Sequence, residues 1–460
     1  CFLLSVLMIF PTFLLFSSVL CGSTHYFTEQ RLDHFNGADS TVWSQRYFVN
    51  TSFGTTGGPV FLQLGGEGEL GVSSVDSYAM TMYGQQQGAL LVGLEHRFYS
   101  AHSMPKPDLS LDSLRYLSSQ QALADAAYFV NVELRSKYPQ YDFNKVVVFG
   151  GSYSGALAAW AREKYPGTFL IGVASSAPVR AELDFLEYLD VVDKALEEEF
   201  GELCVSAISS ATAKAEALLD ADAGKLSSMF SLCSPLDAND DKSVANFFSY
   251  VAGTFMGTVQ YNGENPSAPN IRDLCKAMTN TSNSPLHNLA SVTKQFNDPA
   301  GCLDVDYESM IKQLRNTTLD PAAPVGMRQW TYQTCTQFGY FQTTDSAKQP
   351  FGSRIPISFY TDMCNDAFAN GVQPNINFTN AYYGGVESWL TKANHGTYVI
   401  FANGLADPWH ALSVYTKPVS ENIAVFTCDV CAHCENMEPY REGLPIGVKE
   451  VQGNISATLD

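Results

Sequence analysis

The chain has 460 residues, of which 45% are hydrophobic, 12% aromatic and 16% charged; this composition excludes a disordered protein and suits a large core with an inserted second unit. The formal net charge of -20, from 27 basic against 47 acidic residues, comes with no Lys/Arg cluster. Nucleic acid and anionic membranes are thereby excluded as partners.

The first segment, CFLLSVLMIFPTFLLFSSVLCGS, is uncharged and mostly apolar, with Pro11 inside it and small residues at its end. Residues 1–22 read as a signal peptide cleaved near Cys21 to Ser23, and the opening on Cys1 without a basic region marks its start as incomplete. No stable membrane association is expected once it is removed. Nine further cysteines follow, with Asn-x-Ser/Thr sequons at Asn50, Asn280, Asn316, Asn377 and Asn454. Together these indicate the secretory route, ending outside the cell or in a lysosomal or endosomal vesicle.

From Pro59 to Pro178 strand-like and helix-like segments alternate. PVFLQLG (59–65), ALLVGLEH (89–96), KVVVFGG (145–151) and LIGVASSAP (170–178) are short apolar runs with the character of buried parallel strands. Between them, residues 116–138 place Leu117, Leu123, Ala124, Ala127 and Val130 at helical spacing. Residues 23–181 therefore predict the first part of an α/β domain. From 182 to 350 amphipathic helical stretches alternate with Asn/Ser/Pro loops, which predicts a helical insertion. GTYVIFANG (396–404) and NIAVFTCD (422–429) then restore the strand rhythm in a second α/β part, 351–460.

At the third strand the sequence runs VVFGGSYSGALAAW. Ser152 falls between strand and helix, where a nucleophile needs tiny neighbours and the helix N-terminus can face a developing oxyanion. The usual G-x-S-x-G has glycine where this chain has Ser154, with Gly155 one place later. An acid and a base must follow, each on a loop after a strand. Of the later histidines, His287 falls in the insertion, His395 precedes a strand and His410 is too close to the acid. His433 alone follows a late strand, and Asp407 follows the strand before it. Ser152, Asp407 and His433 are the expected triad.

Gly66, Gly68 and Gly71 form G-x-G-x-x-G after the first of these strands, with Glu95 placed as a ribose-binding acid would be. Glu67 and Glu69 would repel a pyrophosphate, so the loop is read instead as an oxyanion-hole donor through Gly66 or Glu67. No organic cofactor is expected. Cys428, Cys431 and Cys434 around His433 resemble a metal-ligand spacing, yet a zinc site needs a fourth ligand and usually a second such pair. No metal is expected, and the pairing of these three cysteines stays open.

QRLDHFN (30–36), GGEGE (65–69), EHRFYS (95–100), YLSSQQALADAA (116–127), GGSYSGALAAW, TYQTCTQFGYFQT (331–343), NGLADPW and AHCENM resemble, in order, segments of the serine peptidases that include lysosomal Pro-Xaa carboxypeptidase, dipeptidyl peptidase II and thymus-specific serine protease. The AHC ending is most similar to the thymus-specific branch. The resemblance implies an α/β-hydrolase fold with a helical cap, the same triad, a second oxyanion N–H at Tyr153, and Trp409 lining a proline-binding pocket. It also implies disulfides Cys204 with Cys275, Cys233 with Cys302, and Cys335 with Cys364. The expected activity is exopeptidase cleavage of short peptides near proline or small residues through an acyl-enzyme, with an esterase or a silent binding fold as alternatives. A homodimer is left open. Which terminus is trimmed is also open: a carboxypeptidase needs a cation and an aminopeptidase an anion, and Arg97 and Glu67 each qualify on charge alone.

Overall fold

The structure is a computed structural model; it describes residues 22–265, 268–297, 301–319, 326–391 and 397–460. The expected leader lies outside the described residues. Among them no helix is long and apolar enough to cross a membrane.

The apolar runs form the parallel strands of one eight-stranded sheet. In chain order its strands are β1 (Ser23–Arg31), β2 (Val42–Asn50), β3 (Val60–Leu64), β4 (Leu90–Leu94), β5 (Val146–Gly151) and β6 (Ile171–Ser175), followed later by β9 (Val399–Gly404) and β10 (Ile423–Cys428). Their spatial order is β1-β2-β4-β3-β5-β6-β9-β10. From β4 to β10 every neighbouring pair is parallel, while β2 runs antiparallel to both β1 and β4. The parallel strands are apolar on both sides because both faces of the sheet are covered. Val146 and Val148 join one core with Ala156, Leu157 and Trp160 of the helix Tyr153–Lys164. Val147 and Phe149 face the other way, into a core with Val448, Val451 and Ile455 of the last helix, Ile446–Leu459. This is the α/β-hydrolase fold.

The antiparallel pair β1 and β2 is not evident from apolar runs. Most of β1 is solvent-exposed at the sheet edge, so its residues carry little of the hydrophobic signal that marks a buried strand. The helix expected over 116–138 starts at Ser119, capped by the Ser118 hydroxyl, and passes through a π-helical turn at Val130–Leu134.

After β6 the chain makes the short strand β7 (Glu182–Asp184), which pairs in parallel with β8 (Gly339–Phe341). Between them lie the helices Glu187–Phe200, Glu202–Met229, Asp241–Gln260, Ile271–Met278, Pro285–Asn297 and Tyr307–Leu314. Helices continue past residue 350, through Ile357–Ala367 and Ile376–Tyr383, before the sheet resumes at Val399. Cys204–Cys275, Cys233–Cys302 and Cys335–Cys364 are bonded, as the resemblance implies. Cys428 and Cys431 form a further disulfide, leaving Cys434 as a free thiol.

Two expectations from the sequence need correction here. Arg97 has no exposed surface. Its Nε and Nη2 donate to the two carboxylate oxygens of Asp125, each at 2.6 Å, and Nη1 donates to the carbonyls of Leu32 and Tyr116. All of its donors serve the fold, so it is not a substrate cation. Asn50 is likewise buried; its amide donates to the Val75 carbonyl at 3.2 Å and to Asp76 at 2.9 Å. A glycan on that nitrogen has no room in the folded chain. Asn280, Asn316, Asn377 and Asn454 are exposed.

Removing one side of the Arg97 pair leaves a buried charge without its partner, so Asp125→Ala should destabilise the protein by about 3–5 kcal/mol; urea unfolding followed by fluorescence measures it, and a loss below about 1 kcal/mol contradicts the assignment. Glycopeptide mapping of protein from a eukaryotic secretory host should find Asn50 unmodified, with any glycans confined to the four exposed sequons.

Candidate functional site

Ser152 stands between the end of β5 and the helix Tyr153–Lys164, at φ 57 and ψ -130. A non-glycine residue held in such a conformation costs about 1–3 kcal/mol, which surrounding structure must offset. Two hydrogen bonds hold the turn: the Ser152 N–H donates to the Ser175 carbonyl at 2.9 Å, and the Ser152 carbonyl accepts from Ala156 at 3.0 Å. The flanking glycines are steric requirements. A Cβ on Gly150 would run into the Ser154 carbonyl, and one on Gly155 would lie 2.6 Å from the Ser175 carbonyl. Ser154 takes the place of the usual glycine without crowding. Its hydroxyl donates to the Gly151 carbonyl at 2.8 Å and accepts from the Gly151 N–H at 3.0 Å, so it ties the turn together.

Asp407 and His433 lie on the loops after β9 and β10. Asp407 is fully buried and His433 nearly so. Asp407 Oδ2 accepts from His433 Nδ1 at 2.8 Å, and its other oxygen accepts the Trp409 N–H at 3.0 Å. This fixes Nδ1 as the protonated nitrogen and leaves Nε2 free to act as a base. The His433 N–H donates to the carbonyl of Gln260, at the end of the helix Asp241–Gln260. The next residue, Cys434, takes a left-handed conformation at φ 57. Its N–H donates to Ser176 Oγ at 2.9 Å, and its thiol sits 3.9 Å from the Ser175 carbonyl, the same oxygen that receives the Ser152 N–H. The histidine loop and the serine turn therefore meet on Ser175 and Ser176. Among the described residues no hydrogen bond yet joins the Ser152 hydroxyl to the imidazole; such bonds often tighten only when substrate binds.

Burial opposes charging of His433, but the Asp407 carboxylate and the Cys434 thiol beside it outweigh burial and hold its pKa well above the ordinary 6.5.

Of the expected oxyanion donors, Tyr153 and Gly66 lie next to the serine turn. Tyr153 opens the helix, whose first N–H groups have no partner within the helix, and a Cβ on Gly66 would come 3.6 Å from Ser154. The Glu67 carbonyl accepts from Gly326, which pins that loop. Nothing in the local sequence marks the groups that hold Tyr153. Its hydroxyl donates to His96 Nε2 at 3.1 Å and accepts from Gln333 Nε2 at 2.9 Å. His96 Nδ1 donates to the Arg97 carbonyl, and burial pushes this imidazole's pKa down to about 4, so it stays a neutral acceptor. Tyr99 donates to Gln333 at 2.5 Å, completing a buried polar chain.

Trp409 is 9% exposed and lies 6.4 Å from the His433 ring, packed against Phe185, Tyr188 and Tyr340. Gln260 Oε1 accepts from both Trp409 Nε1 and Tyr188 OH, at 3.0 and 2.6 Å. Gln260, like His96 and Gln333, is not singled out by the sequence. Beside His433 opens a cleft of about 680 Å³, lined by Tyr78, Glu264, Cys434, Met437, Glu438 and Arg441.

The alternative readings of the sequence meet committed side chains. Glu95 is buried and accepts from Arg46, Ser100 and Ser103, so it is not available to a ribose. Cys428 and Cys431 are joined to each other rather than poised around a metal. His410 Nδ1 bonds the Asp407 carbonyl at 2.7 Å, His287 is exposed, and His395 lies outside the described residues.

A strained serine after a central strand, with an acid and a histidine hydrogen-bonded on the loops of two later strands, is the arrangement of a serine hydrolase. The chain belongs to the family described as serine carboxypeptidase S28, which it matches over residues 30–455, and it is a serine-type peptidase. It is 37% identical to a putative serine protease of Caenorhabditis elegans over 428 residues, covering 89% of this chain and 82% of that protein. It is also 37% identical to the thymus-specific serine protease of Homo sapiens over 430 residues, 90% and 81% of the two chains. Identity to the lysosomal Pro-X carboxypeptidase of Mus musculus is 28% over 436 residues, 89% and 83%.

An NMR titration of the His433 ring should give a pKa above 6.5, and Asp407→Asn should lower it, because the carboxylate is what favours the imidazolium. An unchanged pKa in that variant would show that the pair does not govern the imidazole.

Proposed function

We propose that this serine peptidase is an exopeptidase acting on short peptides through an acyl-enzyme, with Ser152 as nucleophile, His433 as general base and Asp407 as its orienting acid. The observation that carries the reading is the buried 2.8 Å Asp407–His433 hydrogen bond beside a serine held at positive φ. Ser152 Oγ attacks the scissile carbonyl and passes its proton to His433 Nε2. The tetrahedral oxyanion lies against N–H groups of Tyr153 and of Gly66 or Glu67. His433 gives the proton to the leaving amine, and the C–N bond breaks. A water molecule, deprotonated by the same imidazole, then releases the acyl group and regenerates the serine.

The helical layer between β7 and β8 supports restriction to short substrates: the Gln260 carbonyl accepts from the His433 main chain, so one end of a helix of that layer adjoins the histidine. The ring set of Trp409, Phe185, Tyr188 and Tyr340 offers a flat apolar wall that suits a proline or another compact side chain at the scissile bond. A relative named for Pro-X cleavage agrees with that preference. Four disulfides and four exposed sequons favour a secreted or lysosomal location.

Mass spectrometry of a synthetic peptide library incubated with the mature protein tests this directly. The expected products are progressively shortened peptides, enriched for cleavage beside proline or small residues, with kcat on the order of 10⁴-fold lower or less in Ser152→Ala. Internal cuts throughout long peptides, or acyl esters as the sole substrates, would overturn the exopeptidase reading.

A further inference from the structure

The loop after β3, residues 65–70, is tied down at three points. At its start the Gly65 N–H donates to the Leu94 carbonyl of β4 at 2.8 Å. In its middle the Glu67 carbonyl accepts at 3.1 Å from Gly326, which lies in the insertion between β7 and β8. At its end it meets Arg46 of β2, two places from β3 in the sheet. Arg46 Nη2 lies 2.6 Å from Glu69 Oε1, 3.2 Å from the Leu70 carbonyl and 2.5 Å from Glu95 Oε1. The same Glu95 oxygen accepts the Leu70 N–H at 3.3 Å. One guanidinium and one carboxylate thus grip the end of the loop through a side chain, a carbonyl and an N–H.

The post that holds this grip is rigid. Glu95 has no exposed surface, and its other oxygen accepts the hydroxyls of Ser100 and Ser103 at 2.8 and 2.6 Å. Ser103 Oγ in turn accepts the Arg46 N–H at 3.0 Å, and the Arg46 carbonyl accepts the Glu95 N–H at 3.2 Å. Arg46 and Glu95 are therefore fixed to each other through both main chain and side chain. Glu69 is the loop's own partner in the grip, with its side chain 47% exposed. Apolar residues of similar volume often hold a core as well as a buried ion pair does. They could not hold a polar loop end in this way. At the loop's other end, a Cβ on Gly66 would come 3.6 Å from Ser154 on the serine turn. Among the described residues no hydrogen bond engages the Gly66 N–H.

We propose that Arg46, anchored on Glu95, is a positioning residue that sets the oxyanion donor of this loop through Glu69 and Leu70. It touches no substrate and takes no part in bond making. An oxyanion donor acts within about 2.7–3.1 Å of the oxygen that gains charge, so a loop end free to drift removes the donor from its place while the serine, histidine and aspartate stay in theirs. The donor engages the oxygen more strongly in the transition state than in the bound substrate. Loss of the grip therefore lowers kcat and leaves KM nearly unchanged. The proposal rests on the acyl-enzyme reading above, with one oxyanion N–H supplied by Gly66 or Glu67, and adds the residues that hold that N–H in register.

The test uses the mature protein and a matched pair of activated esters, one with an ordinary carbonyl and one with sulfur in place of the carbonyl oxygen. Sulfur accepts hydrogen bonds poorly, so the thionoester gains little from an oxyanion donor. The ratio of kcat/KM for the two esters is taken on one preparation, and partial misfolding does not alter it. Glu69→Ala should lower kcat for the oxygen ester by about tenfold or more and shrink the oxygen-to-sulfur ratio by a similar factor, with KM within about twofold of wild type. Glu69→Gln keeps an acceptor for Arg46 and should fall between Glu69→Ala and wild type. Arg46→Lys puts a point charge where a planar fork gripped the loop; it should shrink the ratio too, and adding Glu69→Ala to it should cost little more. If Arg46→Lys does not fold, the Glu69 variants decide alone. A wild-type ratio in Glu69→Ala overturns the proposal, whatever happens to total activity, because a pair that only stabilises the fold changes both esters alike. A burst of acyl-enzyme in the wild type separates the two readings: a protein without it has lost the acyl-enzyme reading and this inference together, whereas one that shows the burst but keeps its ratio in Glu69→Ala has lost only this inference.

Discussion

A carboxylate with no solvent contact, 2.8 Å from an imidazole that is itself buried, is the interaction around which the rest of the site is arranged. An isolated buried carboxylate is expensive. Asp407 is tolerated because one oxygen receives the His433 ring N–H and the other receives a main-chain N–H from Trp409. Those two bonds set the tautomer of His433 and fix the loop that carries Trp409. The adjacent parallel strands β9 and β10 bring the two loops side by side, and β6, next to β9, presents Ser175 and Ser176 to both the histidine loop and the serine turn. Sheet order thus does what chain order cannot: it gathers residues 152, 407 and 433 at one edge.

The helical layer is tied into the chemistry rather than merely covering it. Gln260 accepts from Trp409 and Tyr188 through its side chain and from His433 through its main chain. Gln333 does the equivalent for the other half of the site by holding the Tyr153 hydroxyl together with His96. Disulfides at Cys204–Cys275, Cys233–Cys302 and Cys335–Cys364 restrain the helices that supply or flank these contacts. Movement of this layer would therefore be felt at the histidine and at the expected oxyanion donor together.

The six parallel strands, the turn at Ser152 and the place of Asp407 and His433 just beyond two later strands were legible because each leaves a local mark: an apolar run, a glycine pair, a residue type just beyond a strand. What was hidden depends on pairing at long range. The exposed edge strand β1 has almost no apolar run, and its place is set by β2. Arg97 looks like a usable cation in the sequence, but Asp125, 28 residues away, takes its charge into the core. Asn50 satisfies the glycosylation triplet and is excluded by the Val75 and Asp76 contacts of its amide. His96, Gln260 and Gln333 act through hydrogen bonds to distant side chains, and nothing in their immediate sequence marks that role. Glu264 is an ordinary loop acid until the fold sets it beside His433.

Turnover through the proposed acyl-enzyme requires that Ser152, and no other group, becomes acylated. Cys434 provides a demanding comparison, since its thiol lies against the same histidine and the same Ser175 carbonyl. Acid quenching of the protein in the first turnovers of an activated ester, followed by peptide mapping, reads the bonded residue. The expected result is one acyl group on the peptide that contains Ser152, formed in a burst and absent from Ser152→Ala. An acyl group carried by Cys434, or turnover with no acylated peptide at any time, would contradict it.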